Sequence, residues 1–231
     1  MGIFNSSILR KVSMALSGLF LVVFLLQHFI INFSSVVSPT TFNQWSHFMG
    51  YNVLVQFVLQ PILIFGVVFH FVMGFVLEIQ NRKSRRISYA QFKGNKNAPW
   101  VSRNMIWSGG VVLFFLILHF IDFWIPELNH KYIEGSMFHA ELSDPSRYYS
   151  ELVHKFESLL RVCVYVAAFV FLAMHIYHGF SSAFQSLGMK KKHKRSLLFF
   201  TQAFAIIIPL GFCFIALYHH LVSIHTIVPH A

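Results

Sequence analysis

Five long apolar runs leave this chain few ways to fold. They lie near residues 12–32, 53–79, 102–125, 158–182 and 197–220. A helix needs roughly 20 apolar residues to cross the hydrocarbon core of a bilayer. Five such runs in 231 residues leave little chain for anything else. A short apolar run can be a buried helix of a soluble core. Here only 11% of the residues are charged, against about 25% in a soluble domain. The expected fold is therefore an all-α membrane protein, with residues 1–231 forming one bundle of five transmembrane helices. Phe is abundant, at 28 residues. It suits lipid-facing and interhelical filling, and equally packing against a flat aromatic ligand.

The net charge of +10 invites a nucleic-acid reading, which its distribution contradicts. Arg10 and Lys11 precede the first run, seven basic residues separate the second and third, and five lie in "KKKHKR" between the fourth and fifth. The connection 33–52 carries no charge, and 126–157 is mixed, with six acids and three bases. Lys and Arg collect in cytoplasmic loops. The expected orientation puts the N-terminus in the cytoplasm and the C-terminus outside. The basic pair before the first run is followed by too long an apolar stretch, and no A-x-A-like site, for a cleavable signal. Within 126–157, "ELSDPSRYYSELVHKFESLL" suggests a short interfacial helix.

Fourteen histidines are present. Most fall in loops or at run ends, and His219 and His220 are expected to face headgroups or water at the outer surface. Five lie inside runs: His28, His70, His119, His175 and His178. An ionisable side chain within a span is costly and marks a functional candidate. An interhelical hydrogen bond is the plainer explanation for one of them, but not for four on four helices at matched depths. "LQHFIIN" around His28 is echoed by "ILHFIDF" around His119. "HFVMGF" from His70 is echoed by "HIYHGF" from His175, each with Gly four residues on. The alternating topology puts His28 and His119 toward the outside, and His70 and His175 toward the cytoplasm. At 1.5 Å per residue the two levels differ by about 10 Å.

Histidine four residues before glycine puts both on one helix face. The imidazole can then bind a metal while the glycine leaves room for a flat macrocycle. Two histidine pairs at two levels suit two bis-histidine b-type haems: His28 with His119 at the outer level, and His70 with His175, the pair with the glycines, at the inner. His178 shares the face of His175 and competes with it. Zinc, which prefers three or four clustered ligands, suits the pairs less well. No C-x-x-C-H occurs, so c-type attachment is excluded. Asp122, three residues after His119, suits a bond to an imidazole, quinone protonation or the interface. Arg161 suits a haem propionate, Asp122, or snorkelling to the surface.

With these residues in view, the chain resembles the di-haem cytochrome b subunit of succinate dehydrogenase and fumarate reductase, of the bacterial five-helix cytochrome b558 type. The resemblance spans the whole chain, and "HGFSSAFQSLG" is its most specific piece. It implies haem ligands at His28, His70, His119 and His175, and flavoprotein and iron–sulfur partners on the basic, cytoplasmic face. It also implies an electron-transfer subunit that is not a complete enzyme alone, seated in a bacterial cytoplasmic membrane. Its substrate would be a quinone, commonly menaquinone, with Asp122, Trp45 and Arg161 as candidate quinone residues. Some members carry a glutamate two residues before the fourth ligand for proton transfer. Here Ala173 stands there, so that pathway is not carried over. A di-haem anchor of a hydrogenase or formate dehydrogenase, a haem-free anchor and a transporter stay open as alternatives.

Overall fold

A computed structural model describes residues 7–84, 105–139, 142–188 and 194–227. Arg85, Arg86, Lys93, Lys96, Arg103 and Lys190–Lys192, which carry much of the expected orientation, lie outside these residues. Every long element among the described residues is helical: α1 (Ser7–Val37), α2 (Pro39–Tyr51), α3 (Gln60–Ser84), α4 (Met105–His119), α5 (Arg147–Lys155), α6 (Leu159–Ser186) and α7 (Lys194–Ile227). Five stretches are long and apolar enough to cross a membrane: Ser7–Val37, Val55–Lys83, Met105–Ile133, Leu159–Ser186 and Arg195–Ile224. In hydrocarbon the backbone has no water to bond, and a helix satisfies its own N–H and C=O groups.

The most extensive packing is between α6 and α7, and α6 also lies against α1 and α4. Small residues make the close approach possible: Ala205 and Ala216 on α7 are 0% and 1% exposed. Phenylalanines fill the rest of the seam. Phe169 stacks on Phe212 at 5.4 Å, and Phe180 meets Phe204 edge-on at 5.3 Å. Among the described residues six phenylalanines are buried and twelve are exposed, so more of them face outward than fill the bundle. α3 lies on the flank, against α1 and more lightly α4.

Two prolines shape the spans. A helical proline cannot bond the carbonyl four residues back and clashes with it. Pro61 follows a π-helical turn, Val55–Leu59, and Pro126 follows another, Phe120–Trp124. A third proline, Pro209, lies inside α7 with no such turn before it. After Pro126 the helix continues through Ile125–Leu128 and a third π turn, Asn129–Ile133.

One end of the bundle carries a cap. The uncharged segment read as a connection forms α2, started by Ser38, whose side chain accepts from the Thr41 amide, and by Pro39. α5 occupies the expected interfacial stretch. Asn43 joins the two, accepting from the Tyr149 amide at 2.7 Å and donating to the Ser146 carbonyl at 2.9 Å. Beneath them Lys131, 2% exposed, donates to Glu127 at 2.8 Å and to Gln56 at 3.3 Å. Arg147 pairs with Glu127 and bonds Glu151 at 2.7 Å. Gly50 lets α2 approach: a Cβ there would lie 2.8 Å from the Tyr148 hydroxyl and 3.0 Å from Glu127.

Removing one partner strands a buried charge. Glu127→Gln is expected to destabilise the protein by about 3 kcal/mol, read as a lower Tm in detergent. Adding Lys131→Met should recover most of the loss. The cap is also pH-sensitive. Burial, then the Arg147 guanidinium, with a smaller contribution from Lys131, hold the His47 imidazole below its usual 6.5, opposed by Glu127 and Asp144. His47 stacks on Tyr51 at 4.5 Å, and its Nδ1 is buried without a partner. Below about pH 6.5 the unfolded state then binds more protons than the folded one, so stability falls as pH falls. Amide exchange in α2, corrected for its intrinsic pH dependence, should accelerate on going from about pH 7 to 5. His47→Phe should remove that acceleration.

Candidate functional site

The spans bring the four histidines together in two pairs, each drawing one residue from the first half of the chain and one from the second. His28 on α1 faces His119 at the end of α4, with ring centroids 5.7 Å apart and planes at 88°. His70 on α3 faces His175 on α6, at 6.2 Å and 78°. The first pair lies toward the capped end. All four rings are half-buried. His178 makes its ring contact with its neighbour Tyr177, so His175 is the residue that meets His70.

Aromatic side chains wall the pair nearer the cap. Phe24 stacks on His28 at 5.5 Å, and Phe212 lies 5.8 Å away. Phe123, Phe115 and Tyr165 surround His119 at 5.2, 5.8 and 6.4 Å. Asn32, one turn after His28, donates to the His28 carbonyl at 2.8 Å. The second pair sits instead on glycines. A Cβ at Gly18 would lie 3.3 Å from His70 Cε1, and one at Gly109 would lie 3.3 Å from His175 Cε1. Gly74 and Gly179, one turn after the two histidines, are approached by the flexible ends of Met14 and Met105.

At each of two levels, two imidazoles stand close enough that one group set between them could be held by both, with ring centroids 5.7 and 6.2 Å apart. His119 Nδ1 is buried with no hydrogen-bond partner, and His175 Nδ1 has only the Met105 carbonyl beside it, without a well-formed bond. Buried polar atoms normally have one. Among the described residues no three His, Cys, Asp or Glu side chains converge on a common point. A macrocycle asks for only two protein ligands, since it brings the rest itself.

Asp122 and Arg161 meet; Trp45 is elsewhere. Asp122, 3% exposed, lies in the π turn after His119 and accepts from the Tyr165 hydroxyl at 2.8 Å. Arg161 Nε stands 3.2 Å from the same oxygen, and its guanidinium also donates to the Lys155 carbonyl at 3.4 Å. Tyr165, 2% exposed, thus touches both Asp122 and His119, and nothing in the sequence marks it. Trp45 lines a cleft of about 440 Å³ between α1 and α2, with Leu26, Gln27, Ile30, Phe48 and Met49.

The placement of His219 and His220 corrects the expectation from sequence. α7 runs on to Ile227, and α5 folds over it, so neither residue ends a helix at the surface. His219 is 0% exposed, with Nε2 2.8 Å from Ser35 Oγ and the Tyr149 ring 5.5 Å away. His220 donates from Nδ1 to the Phe156 carbonyl at 2.7 Å. No protein-family model, curated protein or solved structure matches this chain.

Proposed function

We propose that this protein is the di-haem cytochrome b membrane anchor of a succinate:quinone oxidoreductase, of the succinate dehydrogenase or fumarate reductase type. The observation that carries the haem reading is the pair of facing imidazoles at each of two levels, 5.7 and 6.2 Å between centroids. The choice of enzyme rests on the resemblance described above. On this reading His28 and His119 hold the haem nearer the cap, and His70 and His175 the other. When bound, each haem iron supplies one-electron chemistry. The chain's own part is to hold the four imidazoles neutral and facing, and to exclude water with Phe24, Phe115, Phe123 and Phe212. Flavoprotein and iron–sulfur partners would dock at the basic end. That end, by the distribution of Lys and Arg, is the cytoplasmic face of a bacterial inner membrane.

The quinone, with menaquinone the favoured substrate, is assigned to the capped end. Quinone reduction consumes protons as well as electrons. Asp122 is a buried carboxylate one turn after His119, with Tyr165 and Arg161 fixing its orientation. Trp45 and Gln27 line an apolar cleft suited to an isoprenoid tail.

A reduced-minus-oxidised spectrum of the purified chain, with haem quantified, is the direct test. Two low-spin b-type haems per chain are expected. His28→Ala or His119→Ala should remove one and leave the other. His70→Ala or His175→Ala should remove the second, and His178→Ala neither. A folded but colourless protein would sink the reading. In the assembled complex, Asp122→Asn should keep both haems and lower kcat for quinone reduction at least tenfold, the low end for a lost acid–base group. Trp45→Ala should instead raise KM for quinone.

A further inference from the structure

The contacts around His70 and His175 are built twice from equivalent residues. Met14, Ser17, Gly18 and His28 recur ninety-one positions later as Met105, Ser108, Gly109 and His119. His70 and Gly74 recur as His175 and Gly179. The correspondence holds in space. Each imidazole rests Cε1 against its glycine, at 3.3 Å from the Cβ position in both cases. Each methionine ends over the glycine one turn beyond the histidine, Met14 at Gly74 and Met105 at Gly179, at 3.6 and 3.3 Å. Each serine is buried and donates its hydroxyl proton back to its methionine carbonyl, Ser17 at 2.9 Å and Ser108 at 3.0 Å.

In the first half this motif also orients the imidazole. Ser17 Oγ lies 3.1 Å from His70 Nδ1. Its proton is engaged with Met14, so toward His70 it has only lone pairs to offer. His70 Nδ1 therefore carries the hydrogen and donates, which leaves Nε2 bare. In the second half the same pieces stand unjoined. His175 Nδ1 is buried without a well-formed hydrogen bond, although the Met105 carbonyl stands beside the ring. Ser108, 3% exposed, has its proton engaged and lone pairs to spare.

We propose that Ser17 and Ser108 are a matched pair of positioning residues, each accepting the Nδ1–H of one imidazole of the His70–His175 pair and so presenting both Nε2 atoms to a single metal. A buried donor without a good acceptor costs free energy, and a free lone pair of Ser108 would remove that cost. Groups that accept the far N–H of a ligating histidine fix its tautomer and raise its basicity. A more basic ligand favours the more positive oxidation state. The serines thus lower the midpoint potential of the haem they serve. A serine that only bonds back to its own helix would have no such effect.

This inference rests on the di-haem reading, and the test separates the two. Full-length chains carrying Ser17→Ala, Ser108→Ala, Ser17→Thr or Ser108→Thr are titrated potentiometrically, following each haem by its absorbance. His70→Ala identifies the component that belongs to the His70–His175 pair. Each alanine variant should raise that component's midpoint, by on the order of 59 mV, a tenfold change in the oxidised-to-reduced ratio for one electron. The other component should stay fixed, and the threonine variants, which keep the hydroxyl, should return the parent value. Two haems with neither midpoint moved by either alanine, or with both moved alike, would overturn the serine assignment and leave the di-haem reading standing. A folded chain without haem would overturn both.

Discussion

An imidazole in an apolar bundle must have something to bond to, and that requirement organises this molecule. Its two nitrogens cannot be left bare in hydrocarbon without cost, and inside a membrane no water is at hand to supply the bonds. Four such rings meet in two pairs, and among the described residues no carboxylate or third histidine converges with either pair. The aromatic wall around His119 and the glycine seats under His70 and His175 both follow from the need to hold a ring in one orientation. On the proposed di-haem reading, a macrocycle held by both rings would answer the requirement at each level in the same way.

Much of this was legible before any coordinates. Hydropathy located the spans because a bilayer demands long apolar runs whatever their packing. The histidines stood out because they are expensive and because "HFI" and the His-to-Gly spacing each occur twice. What escaped was everything that depends on which way a helix face points. In a soluble protein the polar face of a helix reveals its apolar one. In a membrane both the lipid-facing and the bundle-facing sides are apolar, so that signal vanishes. Tyr165 could not be told from a lipid-facing tyrosine, nor Ser17 from any small residue in a span. His219 was misplaced for a related reason. The apolar run fades near residue 220, but the helix does not stop there, and α5 covers what the fading suggested was surface.

The cap shows a different blindness. An uncharged stretch between two spans reads as a simple link, yet Ser38 and Pro39 start a helix there. The charged residues that hold that helix down, Glu127, Lys131 and Arg147, come from the other long connection. Their meeting is a tertiary fact. Lys131 is all but sealed from solvent; its partner Gln56 comes from the first proline-linked π turn and Glu127 from the segment just after the second.

The way the histidines are shared has a consequence for assembly. In each pair one ring comes from the helices before the basic connection and the other from the helices after it. Neither half of the chain can then grip an iron from both sides. The halves must dock first, or dock around the cofactor, and whatever binds only the docked form stabilises the docking. The cofactor would act as a rivet between two similar pieces of one polypeptide. Two rivets at different depths would fix the pieces against sliding as well as against separation.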